Sequence, residues 1–233
     1  MISFFIPVRK ESKRIKNKNI LKLPGYRFGI VQIKLEQLQK LRDKIQKNKF
    51  FFKKGIEFVI STNCKITKKL AKQYPWIKVH IRNKKNYHPN DGLNKLINIV
   101  PKICKGDYIL WTHATSPFFN EDDYINFINI FFKLKKRFKS QSAFSADLIQ
   151  KFLYHKKRGW ISHNTKKIKW PRTQDLSNIY SANSAAFIAH RSIYINNFDR
   201  LCKKTFPILS RAGSSFDLDE KKDLIILKSL LKK

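Results

Sequence analysis

The first residues that could do chemistry follow an apolar segment at the start of the chain. Ile2–Val8 is a nearly continuous apolar run, and the loop after it is dense with cations, a hydroxyl and amides. An arginine can fork onto phosphate oxygens, while lysines act as point charges. The loop lacks the glycines of a Walker loop or a dinucleotide fingerprint. It therefore predicts triphosphate binding by side chains, although an ordinary surface loop of a very basic chain is an equally open alternative. The candidates are Arg9, Ser12, Lys13, Lys18 and Asn19.

Two acidic residues near the other end of the chain form a second candidate site. Asp217 and Asp219 alternate along a segment that we expect to be extended, so their carboxylates should project to the same side. Facing carboxylates repel each other unless a cation lies between them, and Mg²⁺ prefers one or two carboxylates together with nucleotide phosphates. The pair therefore predicts a magnesium site. The alternative is that Asp219 merely caps the C-terminal helix and Asp217 is solvated.

One of the six histidines stands out by its position. His113 directly follows an apolar segment and precedes Thr115-Ser116-Pro117, and ligands of α/β sheets gather beyond the carboxyl ends of strands. We interpret His113 as a candidate substrate contact, with a packing role equally open. No Ser/His/Asp or Cys/His arrangement for covalent catalysis is evident. The three cysteines form no C-x-x-C pair, which predicts free thiols in a reducing cytoplasm rather than a zinc site or disulfides.

These residues need elements that bring them together. Short apolar runs predict buried strands, and segments with apolar residues at helical spacing lie between them. The predicted strands cover residues 2–8, 56–60, 77–81, 108–111, 142–146 and 185–189, and the clearest helices cover 27–48, 122–134 and 220–231. Asn120 is the predicted N-cap of the second of these helices, with three acidic residues in its first turn.

Alternating strands and helices predict an α/β fold, a doubly wound and mostly parallel sheet of the Rossmann-like type. The length favours one domain over residues 1–233. Residues 147–182 break the alternation by mixing aromatic residues with Lys, Arg, Gly and Pro. We interpret this range as an excursion from the main sheet rather than an independent domain.

Composition limits the class of protein. A hydrophobic fraction of 42% argues against disorder, and no apolar stretch approaches the roughly 20 residues of a membrane span. The net charge of +34 favours phosphates, nucleic acid or an anionic surface. Because the cations are scattered and no recognition motif accompanies them, we favour compositional drift. A basic nucleic-acid-binding protein remains the alternative from another functional class.

The opening loop resembles the N-terminal motif of the CMP-sialic acid synthetases (acylneuraminate cytidylyltransferases). That motif reads I-P-A-R-x-x-S-K-x-x-x-x-K-N, and Ile6-Pro7, Arg9, Ser12-Lys13 and Lys18-Asn19 match it. The glycine that usually follows S-K is Arg14 in this chain.

Other segments resemble further motifs of this family, in the same order along the chain. Those before the excursion are Val59–Asn63 (V-S-T-D, with Asn63 for the Asp), Arg82, the polar Asn90-Asp91, and His113–Phe118 (Q-P-T-S-P, with His113 for the Gln). The matching segments within or after the excursion are Pro171–Leu176 (P-R-x-Q), Tyr180–Ile188 (R-P-N-G-A-x-Y-I, with Ser181 and Ser184 for the Arg and Gly) and Phe216–Leu224 (I-D-I-D-T-x-x-D).

The resemblance implies that the anomeric hydroxyl of a 2-keto acid sugar attacks the α-phosphorus of CTP and releases pyrophosphate. It implies that Arg9, Ser12 and Lys13 hold the β- and γ-phosphates, that Asn19 and Arg82 help to fix the cytidine, and that magnesium on Asp217 and Asp219 assists the attack. The implied sugar-binding residues are His113, Ser116, Arg172, Gln174 and Asn183.

The resemblance also implies a cytoplasmic homodimer in which the excursion crosses to a second subunit, with Arg172 acting in trans. Legionaminic, pseudaminic or a shorter octulosonic acid are alternative acceptors, since His113, Ser181 and Ser184 depart from the family pattern near the sugar half. An inactive homologue is a further alternative, which Asn63 and the lost glycines favour and the intact acidic pair opposes.

Overall fold

The structure is a computed structural model that describes residues 1–47, 55–82 and 93–232. Within them, seven strands form one sheet in the order β3-β2-β1-β4-β8-β5-β9. These strands are β1 (Ile2–Val8), β2 (Ile56–Thr62), β3 (Ile77–Ile81), β4 (Tyr108–Trp111), β5 (Ser142–Ile149), β8 (Ile179–His190) and β9 (Thr205–Leu209). Strand β1 is parallel to both β2 and β4, whereas β8 is antiparallel to β4 and β5. The predicted doubly wound, mostly parallel sheet is confirmed.

Helices cover both faces of this sheet. Helices α1 (Gly29–Lys47), α2 (Lys65–Ala71), α4 (Glu121–Phe138) and α6 (Lys221–Leu230) pack on one face, and α3 (Asn94–Ile103) and α5 (Arg191–Asn196) pack on the other. Side chains alternate along β1, so Phe4 and Ile6 enter the first core and Phe5 enters the second. This burial on both faces explains why β1 is apolar at nearly every position.

The predicted start of α4 is confirmed in detail. Asn120 is the N-cap, its side chain accepts from the backbone N–H groups of Asp122 and Asp123, and the Asp123 carboxylate accepts from the N–H of Asn120. This capping box satisfies N–H groups that have no partner inside the helix.

The observed elements extend beyond the predicted ones in several places. Strand β8 begins six residues before the predicted segment at 185, and β5 runs three residues past 146, to 149. The shorter helices α2, α3 and α5, and strand β9, lie where no element was assigned. Residue 48 of the predicted first helix, and Asn90-Asp91, lie outside the described residues.

The predicted excursion begins and ends inside the main sheet, because Asp147–Ile149 pair with Ile179–Ser181. Between these strands lies a small hairpin of β6 (Tyr154–His155) and β7 (Gly159–Trp160). Phe152, Trp160 and Trp170 contact one another edge to face, with ring centroids 5.4–6.0 Å apart. The excursion thus has a small aromatic cluster of its own. None of the helices in the described ranges has the length and apolar character that crossing a bilayer requires.

Candidate functional site

A cavity of about 450 Å³ opens at the carboxyl ends of β1, β3 and β4. It brings together segments that lie far apart in the sequence. The predicted site residues that line it are Arg9, Ser12, Lys18, Asn19, Arg82, His113, Asp217 and Asp219. Glu11, Arg14, Asn63, Thr115 and Ser184, among others, complete its wall. The opening loop and the acidic pair therefore share one cavity.

Amide side chains fix the shape of the opening loop. Asn17 adopts a left-handed conformation (φ 55°) that leads into a 3-10 turn at Lys18–Ile20. Asn19 donates from Nδ2 to the carbonyl of Arg9 (2.8 Å), and the N–H of Lys10 donates to Oδ1 of Asn63 (2.8 Å). Asn63, the residue in place of the family's Asp, thus binds the loop backbone. Its Nδ2 also donates to Glu11 (3.2 Å).

Asp219 accepts from two cations of that loop. Lys18 Nζ lies 3.0 Å from its Oδ1, and Arg14 forms an ion pair with its Oδ2. Burial alone would raise the pKa of Asp219, but the hydrogen bond and charge of Lys18, with those of Arg14, lower it. The N-cap of α6 is Glu220, which forms a capping box with Asp223. The alternative that Asp219 caps this helix is therefore wrong.

Asp217 has different surroundings. Its Oδ1 is buried and has no hydrogen-bond partner. Burial raises the pKa of Asp217, against the hydrogen bond from Thr115 and the charge of Lys18. The backbone N–H of Leu218 donates to the carbonyl of Thr115 (2.8 Å), which fixes the acidic segment against the loop after β4. Asp217 is thus a half-buried acid, one of whose oxygens has no hydrogen-bond partner among the described residues.

His113 is held as a neutral imidazole. Trp111 Nε1–H donates to His113 Nε2 (2.9 Å), so the proton of the neutral ring lies on Nδ1. Burial, assisted by the charges of Arg200 and Lys18, lowers the pKa of His113 to about 3. The residue can therefore donate one hydrogen bond without adding positive charge to the cavity.

A lysine missed by the sequence analysis holds the loop after β4 in place through hydrogen bonds to its backbone. Lys34 of α1 is fully buried and donates to the carbonyls of Ser116 (3.0 Å) and Phe119 (3.2 Å) and to the Tyr124 hydroxyl (2.9 Å). Burial, opposed by the charge of Asp123, lowers its pKa to about 7. The sequence signal that could have revealed its burial is helical spacing, because Lys34 lies four residues from a buried position of α1 on either side.

Ser184 lines the cavity from a strained position. Its φ is +64°, a region that favours glycine. The strand bulges here, because the pairing of β8 with β5 shifts between Phe144 and Ala146. Asn183 fixes the bulge by accepting from the Ser145 hydroxyl (2.6 Å) and donating to Ser210 (2.8 Å). The predicted site residue Asn183 therefore supports the cavity wall and is not itself among the lining residues.

The remaining predicted residues lie outside the cavity wall. Ser116 is buried beneath it, and Lys13 is exposed on the opening loop. Arg172 and Gln174 lie on the excursion and are exposed, and the Arg172 side chain pairs with Asp175 (2.8 Å).

The donor set suits a divalent cation held with phosphates. Within the described residues there is no group of three or more His, Cys, Asp or Glu side chains placed to hold a metal alone. Mg²⁺ needs only one or two carboxylates when phosphates supply the other ligands. The unbonded Oδ1 of Asp217 fits this requirement, and Asp219 lines the same cavity.

Comparison with known proteins finds the same fold in several solved structures. The chain is similar over its whole length to the solved structure of CMP:2-keto-3-deoxy-manno-octonic acid synthetase complexed with CTP, at 13% identity and a TM-score of 0.64, covering 99% of this chain and 98% of that one. It is similar to 4-diphosphocytidyl-2C-methyl-D-erythritol synthase from Anaerococcus prevotii, at 12% identity and a TM-score of 0.65, covering 100% and 96%. A cytidylyltransferase from Leptospira borgpetersenii matches at 15% identity and a TM-score of 0.57, covering 99% and 86%.

At these identities the structural matches show the fold alone. No curated protein matches the sequence significantly. The cytidylyltransferase family model matches residues 3–201, which is most of the chain. This protein therefore belongs to the cytidylyltransferase family.

Proposed function

We propose that the protein transfers CMP from CTP to the anomeric hydroxyl of a nonulosonic, sialic-acid-like sugar. The observation that carries the proposal is the shared cavity: cations of the opening loop and the two aspartates line one space at the carboxyl edge of the sheet. Family membership and the CTP complex of one structural neighbour support a cytidine nucleotide as the donor.

The reaction is a substitution at phosphorus. The sugar hydroxyl oxygen bonds to the α-phosphorus of CTP, the bond from that phosphorus to the β-phosphate oxygen breaks, and pyrophosphate leaves with the electron pair. Such a step depends on positioning and on stabilising negative charge, with little need for a covalent nucleophile. Arg9 and Ser12 are placed to bind phosphate oxygens, and Lys13 could reach them from the same loop.

Asp217 and Asp219 would hold Mg²⁺, which when bound stabilises the charge of the phosphates and polarises the attacking hydroxyl. Asp217 contributes the unbonded carboxylate oxygen described above. Lys18 remains beside Asp219 and adds positive charge near the phosphates. Asn19 and Arg82 line the same cavity and are our candidates for fixing the cytidine.

The acceptor would lie towards His113 and Ser184. The Nδ1–H of His113 can donate to a sugar oxygen. The side chain of Ser184, whose backbone is strained, narrows the cavity where a glycine would leave more space. Eight-carbon 2-keto acids are alternative acceptors, since one structural neighbour is a synthetase for 2-keto-3-deoxy-manno-octonic acid. The free thiols of all three cysteines support a cytoplasmic location.

We further propose that the active form is a homodimer. The excursion exposes Tyr154 (63%), Ile168 (57%) and Trp170 (67%), an apolar group that a second subunit could cover. Arg172 and Gln174, the predicted sugar-binding residues of the same excursion, lie outside the cavity of their own chain. A partner subunit would bring them to a cavity if the excursion crossed the interface.

The test is pyrophosphate release from CTP and Mg²⁺ by the purified full-length protein, with one acceptor at a time. The acceptors are N-acetylneuraminic, legionaminic, pseudaminic and 2-keto-3-deoxy-manno-octonic acid. Release with a nine-carbon acid supports the proposal, and release only with the octonic acid selects the alternative. CTP binding without turnover of any acceptor would contradict the acceptor class, and failure to bind CTP would contradict the function itself.

A further inference from the structure

Asp219 is already neutralised by the protein's own cations. Lys18 occupies one carboxylate oxygen and Arg14 the other. The two cations differ in exposure, since the Lys18 side chain is 14% exposed and the Arg14 side chain is 61% exposed. Both side chains line the cavity, and Arg14 is the one in fuller contact with solvent.

Of the two ion pairs, the exposed one between Arg14 and Asp219 is the one whose cation can move to another anion. An ion pair in contact with water contributes little to stability because solvent screens it and two side chains lose freedom to form it. A triphosphate that entered the cavity would offer Arg14 several anionic oxygens, to which arginine binds strongly through two N–H groups. Arg14 lines this cavity, so the exchange needs a side-chain movement rather than a rearranged fold.

We propose that Arg14 is a positioning residue that competes with the divalent cation for Asp219 and moves to the triphosphate when nucleotide enters. In the nucleotide-free protein Arg14 keeps the Asp219 Oδ2 occupied, so the cation has only the free oxygen of Asp217. With nucleotide bound, Arg14 leaves and the second carboxylate becomes available. Arg14 thereby makes tight cation binding depend on the nucleotide. This inference rests on the proposed function.

The competition can be measured without turnover. Binding of Mn²⁺ alone to the nucleotide-free, full-length protein is followed by electron paramagnetic resonance for wild type and Arg14→Ala. Removing the competing guanidinium should tighten Mn²⁺ binding by between about two- and fivefold, the factor that corresponds to losing an exposed ion pair. The same variant should bind CTP in EDTA more weakly than wild type, because the triphosphate loses a cation.

Two variants separate this role from a general change of charge. Arg14→Lys keeps the cation and should restore wild-type Mn²⁺ binding. Lys44→Gln removes an exposed lysine of α1 that pairs with Asp122 of α4, and neither residue lines the cavity. This variant should leave Mn²⁺ binding unchanged. Since Arg14 is exposed, thermal unfolding should confirm that every variant folds.

Equal Mn²⁺ affinity in wild type and Arg14→Ala, including the absence of binding in both, would overturn the inference. So would an equal gain in Lys44→Gln, since any released carboxylate would then bind the ion. Unchanged CTP binding in EDTA would overturn the movement of Arg14 to the triphosphate. Because no acceptor is present, these results do not depend on whether the proposed transfer reaction succeeds.

Discussion

At the scale of single residues, the two aspartates of the cavity differ in their electrostatic partners although one residue separates them. Asp219 is paired with Lys18 and Arg14, whereas Asp217 keeps a buried oxygen without a partner. A buried carboxylate with an unsatisfied oxygen costs stability when no cation is bound. The proposed role of Asp217 as a cation ligand therefore opposes stability in the absence of the cation.

Asp217→Asn should separate these two effects. In EDTA the variant should unfold with a free energy about 1 kcal/mol higher than wild type, because the buried charge is gone. With Mg²⁺, CTP and the acceptor sugar its kcat/KM should fall steeply, since a proposed cation ligand is lost. Urea unfolding and pyrophosphate release measure the two effects. Asp219→Asn is the matched control and should not be stabilised, because it leaves Lys18 and Arg14 without their acid; stabilisation of both variants would contradict this account.

Arg9→Ala should lower kcat/KM by between about 30- and 1,000-fold, equivalent to roughly 2–4 kcal/mol of transition-state stabilisation, as for other preorganised donors. The Arg9 side chain is exposed, and only its backbone carbonyl binds Asn19. Thermal stability should therefore match wild type. Lys10→Ala, an exposed neighbour outside the cavity wall, should keep its activity. Near-normal turnover by Arg9→Ala would remove Arg9 from the mechanism.

Residue types and spacing predicted a phosphate-binding loop and a magnesium-binding acidic pair, and the family resemblance implied that both serve one nucleotide. They could not predict that Arg14 pairs with Asp219, because that contact joins positions 205 residues apart and depends on how the loop folds back. Asn63 shows the same limit. As a substitution it suggested lost function, yet its amide binds the backbone of Lys10.

At the scale of elements, the buried strands were predictable because a strand buried on both faces is apolar at nearly every position. Strand β1 was predicted at its observed limits, Ile2–Val8. Strand β8 was predicted only over its buried half, since residues 180–182 are exposed and carry no apolar pattern. Its antiparallel direction and its bulge at Ser184 depend on pairing with β4 and β5, which the local sequence does not encode.

The contact between α1 and the loop after β4 has a measurable dependence on pH. Burial lowers the pKa of Lys34 to about 7, so between pH 7 and its ordinary value of 10.5 the folded protein binds fewer protons at this site than the unfolded chain. Stability linked to Lys34 therefore rises with pH across that window, and the cost of burying its charge is fully present below pH 7.

Lys34→Met should remove this dependence. The difference in unfolding free energy between wild type and the variant should shift in favour of wild type by on the order of 2 kcal/mol from pH 7 to pH 9.5. Urea unfolding at several pH values measures it. Lys40→Met, an exposed lysine of the same helix, is the control and should run parallel to wild type. Parallel curves for Lys34→Met would show that Lys34 does not titrate in this window.

At the scale of the whole molecule, the net charge and the proposed dimer involve more than one site. The net charge of +34 is spread along the chain, so its field attracts polyanionic nucleotides but does not by itself mark a site. The site is marked by the few acids: Asp217 and Asp219 line the cavity, and the other acid in its wall, Glu11, accepts from Asn63. The sequence pattern could not predict whether the excursion contacts a second subunit, because exposed aromatic residues do not identify what, if anything, covers them.

Mixed dimers decide whether Arg172 completes the cavity of its partner. Arg9→Ala damages the cavity of its own chain, whereas Arg172→Ala would damage the partner's cavity if the excursion crosses the interface. A purified heterodimer of the two variants would then contain one cavity with both defects and one with none. It should recover about half of wild-type activity per dimer, while each variant homodimer stays nearly inactive. If Arg172 acts within its own chain, both cavities of the heterodimer carry one defect, and activity does not recover. Sedimentation of a fully active monomer would reject the dimer altogether.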